Sequence, residues 1–298
     1  MVLLRSSIFA LVLVGLVNAA LVKRQAITPL SSSQMASFAP FTHFASTAYC
    51  NSSTSINWSC GSNCEANPDF QPMASGGDGD GTQFWYVGFS PSQNTVVVAH
   101  QGTATSKLLP ILIDIDLILE PLDSPLFPGV PSSVKVHDGF ALEQASTAPK
   151  ILFYVQQTLS VHGTSSVTVV GHSLGAALSL LDGLYLRFHL NATVNVQVIG
   201  YGMPRVGNEA FADWVDAHLG GQVTHINNRR DPVPILPPRL LGFHHASGEV
   251  HITDSGTWES CPGQDNPSVE CTVGDVPSIF NSKESDHSGP YGSISMDC

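Results

Sequence analysis

The chain has 298 residues, with 12 basic and 24 acidic side chains and a net charge of −12. Apolar residues make up 43% and charged residues 12%, which excludes a disordered chain, because disorder needs few apolar groups and much charge. The acidic balance excludes the basic stripe that a nucleic-acid partner requires, and the length suits one large α/β domain or two small ones.

Residues 1–19 read as a secretory signal peptide. Arg5 supplies the positive start, residues 8–17 an apolar core too short to span a bilayer, and Val17-Asn18-Ala19 the small residues of a cleavage site. Lys23-Arg24 ends a short propeptide over 20–24 and leaves residues 25–298 as one domain. Cleavage there removes three basic residues and no acid, so the net charge becomes −15. A secreted, extracellular chain meets an oxidising compartment, where its six cysteines can pair. Asn51, Asn57 and Asn191 each open a glycosylation sequon. No later stretch reads as a transmembrane segment, since the most apolar one, 108–119, is broken by Pro110, Asp114 and Asp116.

The elements follow in chain order. A helix over 39–49 leads to Cys50, and the glycines of 76–81 make a turn. Strands are expected at 84–89, 95–100 and 113–119. The β-branched run from Thr95 to Val98 suits a strand buried on both faces. A helix over 139–159 contains Pro149, which should kink or divide it. Then come a strand at 167–170, a helix at 176–189 with Leu178, Leu181, Leu184 and Tyr185 on one face, a strand at 194–200, a helix at 209–219 and a strand at 223–227. This alternation predicts an α/β fold with a mostly parallel central sheet and helices on both faces, without internal repeats.

Gly171-His172-Ser173-Leu174-Gly175 is a G-x-S-x-G motif. Such a motif arises by chance on the order of once in ten chains of this length, so its context matters. A β-branched strand precedes it and an Ala-rich helix follows, as a nucleophile elbow demands. Glycines lack the Cβ atoms that would collide in so tight a turn. The helix start aims free N–H groups at the reacting oxygen, and the N–H of Leu174 is one oxyanion donor.

A serine hydroxyl needs a base and an orienting acid, and in this arrangement they follow in the order Ser, acid, His. Asp231, in a Pro-rich loop after a strand, is the leading acid, with Asp213 and Asp254 as rivals. Four histidines follow it: His244, His245, His251 and His287. His251 alternates within an expected strand, whereas His287 sits in a turn near the C-terminus and can point into a cleft. Position alone does not select among them.

With these motifs the chain resembles the fungal class 3 lipases, an α/β-hydrolase family, from about Tyr49 to Cys298. The resemblance rests on the Ser173 motif, on Asp231-Pro232-Val233-Pro234-Ile235-Leu236-Pro237-Pro238, on Asp286-His287, and on a G-x-P-R-x-G-N segment at Gly202–Asn208. It implies a Ser173, Asp231, His287 triad and a second oxyanion donor at Thr103, which follows the 95–100 strand. It implies disulfides Cys50–Cys298, Cys60–Cys64 and Cys261–Cys271, with no metal and no cofactor. The function implied is a secreted serine carboxylic-ester hydrolase, a triacylglycerol lipase that touches the oil–water interface transiently. A feruloyl or other soluble-ester esterase, a phospholipase, and a silent lipid-binding relative are the alternatives. Two features depart from the family pattern: the pair His100-Gln101 stands where an aromatic-Arg pair is usual, and Ala176 where Gly is common. The apolar segment 104–112 corresponds to the family's lid, although a buried connection to the expected 113–119 strand would have the same composition.

Overall fold

The structure, a computed structural model, describes residues 26–103, 105–113 and 117–298. The signal peptide and the propeptide expected at 20–24 lie outside the described residues, as does Ala104, the first residue of the lid segment.

Among the described residues, nine strands form one sheet: β1 (Thr28–Pro29), β2 (Gln71–Gly76), β3 (Trp85–Ser90), β4 (Thr95–His100), β5 (Ser166–His172), β6 (Asn195–Tyr201), β7 (Val223–Asn228), β8 (Glu249–Ile252) and β9 (Trp258–Cys261). Their order is β1-β9-β8-β7-β6-β5-β4-β3-β2. The five central strands, β4 to β8, run parallel, and the pairs at the two margins are antiparallel.

Alternation along each strand divides the core between the two faces. Val96 and Val98 of β4 enter a cluster with Val167 and Val169 of β5, while Val97 and Ala99 enter another with Val170. The helix α1 (Ser32–Thr47) covers the second cluster through Phe44 and Ala45. It starts earlier than the sequence suggests because Ser31 and Gln34 form a reciprocal capping box.

After α2 (Thr105–Ile113) come α3 (Asp138–His162), α4 (Leu174–His189) and α5 (Glu209–Leu219), which cover the first face. Pro149 does not divide α3, which runs unbroken to Gly163, a left-handed C-cap at φ +64. Four short strands, Leu119–Pro121, Lys135–His137, Gly207–Asn208 and Phe243–His244, make a second sheet among the described residues.

Among the described residues of the strand expected at 113–119, only Leu119 is in a strand. Helix α2 runs through Ile113, residues 114–116 are not described, and the strand is confined to Leu119–Pro121 in the second sheet. Ile113, the first residue of the expected strand, instead follows the helical period of α2: Leu109 and Leu112, three apart, turn toward the core, whereas Ile111 and Ile113 are about half exposed. Over so short an apolar run, that pattern looks like strand alternation.

Candidate active site

Parallel strands bring the candidate residues to one edge of the sheet. Gly102-Thr103 follows β4, Ser173 follows β5 and Asp231 lies three residues beyond β7. Strands β4 and β5 are neighbours, with His100 opposite Gly171. β6 lies between β5 and β7, with Tyr201 opposite both His172 and Ile226. The carboxyl ends of such strands are where open α/β sheets bind their ligands.

Ser173 caps α4 at φ +62, a backbone region that an L-residue occupies under strain. The glycines around it make that turn possible. A Cβ on Gly171 would lie 2.2 Å from the Gly175 carbonyl oxygen, and one on Gly175 would lie 2.2 Å from that of His100. On Gly102 it would lie 2.9 Å from the Cβ of Ser173, so the loop carrying half-buried Thr103 presses directly on the elbow. From Leu174 onward, the first N–H groups of α4 have no acceptor inside the helix.

His287 comes from the C-terminal segment. Its Nδ1–H donates to Oδ2 of Asp231 at 2.8 Å, and Oδ1 of Asp231 accepts the N–H of Val233 at 2.8 Å. The proton on Nδ1 leaves a lone pair on Nε2. That nitrogen and the hydroxyl of Ser173 are both buried, and neither is hydrogen-bonded to another protein group. Tyr201 and Gly202 link the two halves. The N–H of Ser173 donates to the Tyr201 carbonyl at 2.9 Å. A Cβ on Gly202 would lie 3.0 Å from Cε1 of His287 and 2.8 Å from Oδ2 of Asp231.

The rival acids and bases lie elsewhere. Asp213 is exposed on α5, and Asp254 is exposed and held by Arg230 at 2.6 Å. His245 is buried and donates to the Pro234 carbonyl, while both ring nitrogens of His251 face the carbonyls of Glu270 and Arg229. His244 is partly exposed in its short strand. None of these contacts Ser173.

Several residues around the site escaped the sequence reading. His172 places Nδ1 at 2.6 Å from the hydroxyl of Tyr49 and Nε2 at 2.8 Å from the carbonyl of His287. Burial, and then the nearby His287, push His172 well below the usual imidazole range, so it is neutral. Tyr291 donates to the same His287 carbonyl at 3.0 Å. His100, visible in the sequence only as a departure from the family, pairs with buried Asp182 at 2.8 Å, and Gln144 donates to the other carboxylate oxygen.

Arg205 binds Asp265 through Nε and Nη2. Its Nη1 donates to the carbonyls of Ile235 and Pro237, holding the loop that follows Asp231. The sequence carried signals for His172, inside the G-x-S-x-G motif, for Arg205 in its own motif and for His100 as a departure from the family; Tyr49 and Tyr291 had none.

Cys50 is bonded to Cys298, Cys60 to Cys64 and Cys261 to Cys271. The first bridge ties the chain just after α1 to the end of the segment that carries His287. Among the described residues, Glu249 with Cys261 and Cys271 is the one cluster of possible metal donors, and its two sulfurs are joined to each other. Asn51, Asn57 and Asn191 are all solvent-exposed.

Comparison with known proteins matches residues 97–241 to the family described as lipase (class 3). A secreted mono- and diacylglycerol lipase of Malassezia globosa is 32% identical over 225 residues, covering 75% of this chain and 70% of the relative. Lipase II from Rhizopus niveus superposes with a TM-score of 0.75 at 27% identity, over 91% of this chain and 98% of that one. A triacylglycerol lipase whose catalytic centre is described as a serine-protease triad gives the same TM-score, identity and coverage.

Proposed function

The chain belongs to the class 3 lipase family, and on that premise we propose that Ser173, His287 and Asp231 are its catalytic triad, with Thr103 and Leu174 binding the oxyanion. It is a secreted lipase, a carboxylic-ester hydrolase of the α/β-hydrolase fold. The observation that carries the triad is the buried 2.8 Å contact from His287 Nδ1 to Asp231, which leaves Nε2 of His287 and the Ser173 hydroxyl as reactive groups without other partners.

The chemistry follows from these roles. The hydroxyl of Ser173 attacks the ester carbonyl carbon as Nε2 of His287 takes its proton. Asp231 holds the ring in the required tautomer and stabilises the imidazolium that forms. Negative charge gathers on the former carbonyl oxygen, where the N–H of Leu174 and the N–H and hydroxyl of Thr103 meet it. Losing one such donor typically costs about 2.7–4 kcal/mol of transition-state stabilisation. The imidazolium returns its proton to the leaving alcohol, and an acyl-enzyme remains on Ser173. Water, activated by His287, then releases the fatty acid.

The substrate of this reading is a triacylglycerol. Helix α2 is its lid: Leu112 is fully buried and Leu109 packs on the core, while Ile111 and Ile113 face outward. Opening exposes apolar surface that an oil droplet accepts and water does not. Partial glycerides are the second reading, favoured by two Malassezia relatives at 32% and 35% identity that are named mono- and diacylglycerol lipases. Initial rates on emulsified triolein, diolein, monoolein and methyl ferulate, with Ser173→Ala as blank, separate these readings. Triolein turned over at least as fast as the partial glycerides supports the first, and activity confined to the partial glycerides supports the second. Methyl ferulate as the preferred ester would overturn both.

A further inference from the structure

We propose that Tyr49, His172 and Tyr291 form a positioning relay that locks the oxyanion loop and the catalytic base to one another across the nucleophile elbow. The inference rests on the reading of His287 as the base. Hydrogen-bond polarity leaves one arrangement. The carbonyl of His287 can only accept, so Nε2 of His172 carries the proton and donates to it at 2.8 Å. A neutral imidazole then has its lone pair on Nδ1, which accepts from the hydroxyl of Tyr49 at 2.6 Å. Tyr291 donates to the same carbonyl at 3.0 Å, so both of that oxygen's lone pairs are engaged.

At its other end the relay meets the oxyanion loop. A Cβ on Gly102 would lie 2.3 Å from the Tyr49 hydroxyl oxygen, which leaves no slack between that phenol and the residue before Thr103. Burial raises Tyr49 well above the usual phenol range, only partly offset by the Gly102 N–H, so the hydroxyl stays a donor. The disulfide from Cys50, next to Tyr49, to Cys298 closes the same loop through the backbone.

The relay also answers an electrostatic problem. His172 and His287 have ring centroids 4.4 Å apart, and His287 turns cationic in the transition state. A neighbour able to donate to the His287 carbonyl while staying neutral holds the base without opposing its charge. His172 is therefore a positioning residue, and its place beside Ser173 in the motif lets one segment hold both nucleophile and base.

The test uses Tyr49→Phe, Tyr291→Phe, the double variant and His287→Ala, each on the full secreted chain. It reads kcat and KM on a soluble p-nitrophenyl ester, the inhibition constant of an alkyl boronic acid that mimics the tetrahedral intermediate, and Tm. Each Tyr→Phe change removes one oxygen without altering shape. Loss of one buried hydrogen bond should lower kcat about tenfold. KM should stay within twofold, and the boronic acid should bind about tenfold more weakly. Tyr291→Phe leaves His172 as the donor to the His287 carbonyl, and Tyr49→Phe frees the other side of the His172 ring, so the double variant, which leaves that donor unanchored, should lose more than the product of the single losses. A purely structural role would lower Tm and leave boronic-acid affinity per folded molecule unchanged, which overturns the relay. So does a Tyr49→Phe enzyme within twofold of wild type in both kcat and boronic-acid affinity while His287→Ala is inactive. An active His287→Ala enzyme overturns the base assignment itself, and the relay with it.

Discussion

Truncating the buried tip of the lid should make the enzyme faster in water and less responsive to an interface. Leu112 is fully buried on the inner face of α2, and burying a leucine is worth about 1.5–3 kcal/mol. Leu112→Ala removes most of that hold on the closed state, about 2 kcal/mol. At about 1.4 kcal/mol per tenfold, this multiplies the small open fraction in water roughly thirtyfold. Hydrolysis of a soluble short-chain ester below its solubility limit should rise by up to that factor. The rate on an emulsified triglyceride, where the droplet already favours the open state, should change little. The ratio of the two rates, read across the solubility limit, should therefore collapse. Ile111, half exposed on the outer side of the same helix, is the control, and Ile111→Ala should leave the soluble-ester rate unchanged. A Leu112→Ala enzyme whose two rates fall together, with no gain below the solubility limit, refutes the lid argument.

Other perturbations have equally definite outcomes. Gly202→Ala puts a Cβ 2.8 Å from Oδ2 of Asp231 and from the Tyr291 hydroxyl, at φ +52, so kcat should fall about a hundredfold or more while the protein still folds; a near-normal kcat would contradict the assigned geometry. Burial, followed by the charge of His225, pushes His245 down to about 3, so the folded state refuses a proton that the unfolded chain takes up below pH ~6.5. Stability should fall as pH drops from ~6.5 toward 3, and His245→Gln should flatten that slope by up to about 1.4 kcal/mol per pH unit in denaturant melts. Removing the Cys50–Cys298 bridge, which spans 248 residues, should cost about 5 kcal/mol on the chain-entropy account, against about 2 kcal/mol for Cys60–Cys64, which spans four; equal losses would contradict that account.

The parallel core was legible because buried strands are written in runs of one residue class. Val96–Val98 and Val167–Val170 needed nothing beyond their own side chains to be recognised. Ser173 was legible for a similar reason, since the elbow constrains five consecutive residues and its glycines leave a local mark. His287 was not: four histidines followed Asp231, and only the family resemblance singled one out. Its geometry depends on a fold that brings positions 231 and 287 within 2.8 Å. The relay was less visible still, because Tyr49 and His172 are 123 residues apart and His172 and His287 are 115 apart. In α2, Pro110 and a short run of Leu and Ile fit strand and helix alike, and only tertiary packing of Leu109 and Leu112 decides between them.

Treatment of the secreted enzyme with an alkyl fluorophosphonate, followed by peptide mass mapping, tests the nucleophile directly. One adduct per molecule is expected, on Ser173, forming in step with loss of ester hydrolysis and failing to form when His287 is replaced by Ala. An adduct on another residue, or a Ser173→Ala enzyme that hydrolyses esters at the wild-type rate, would contradict it.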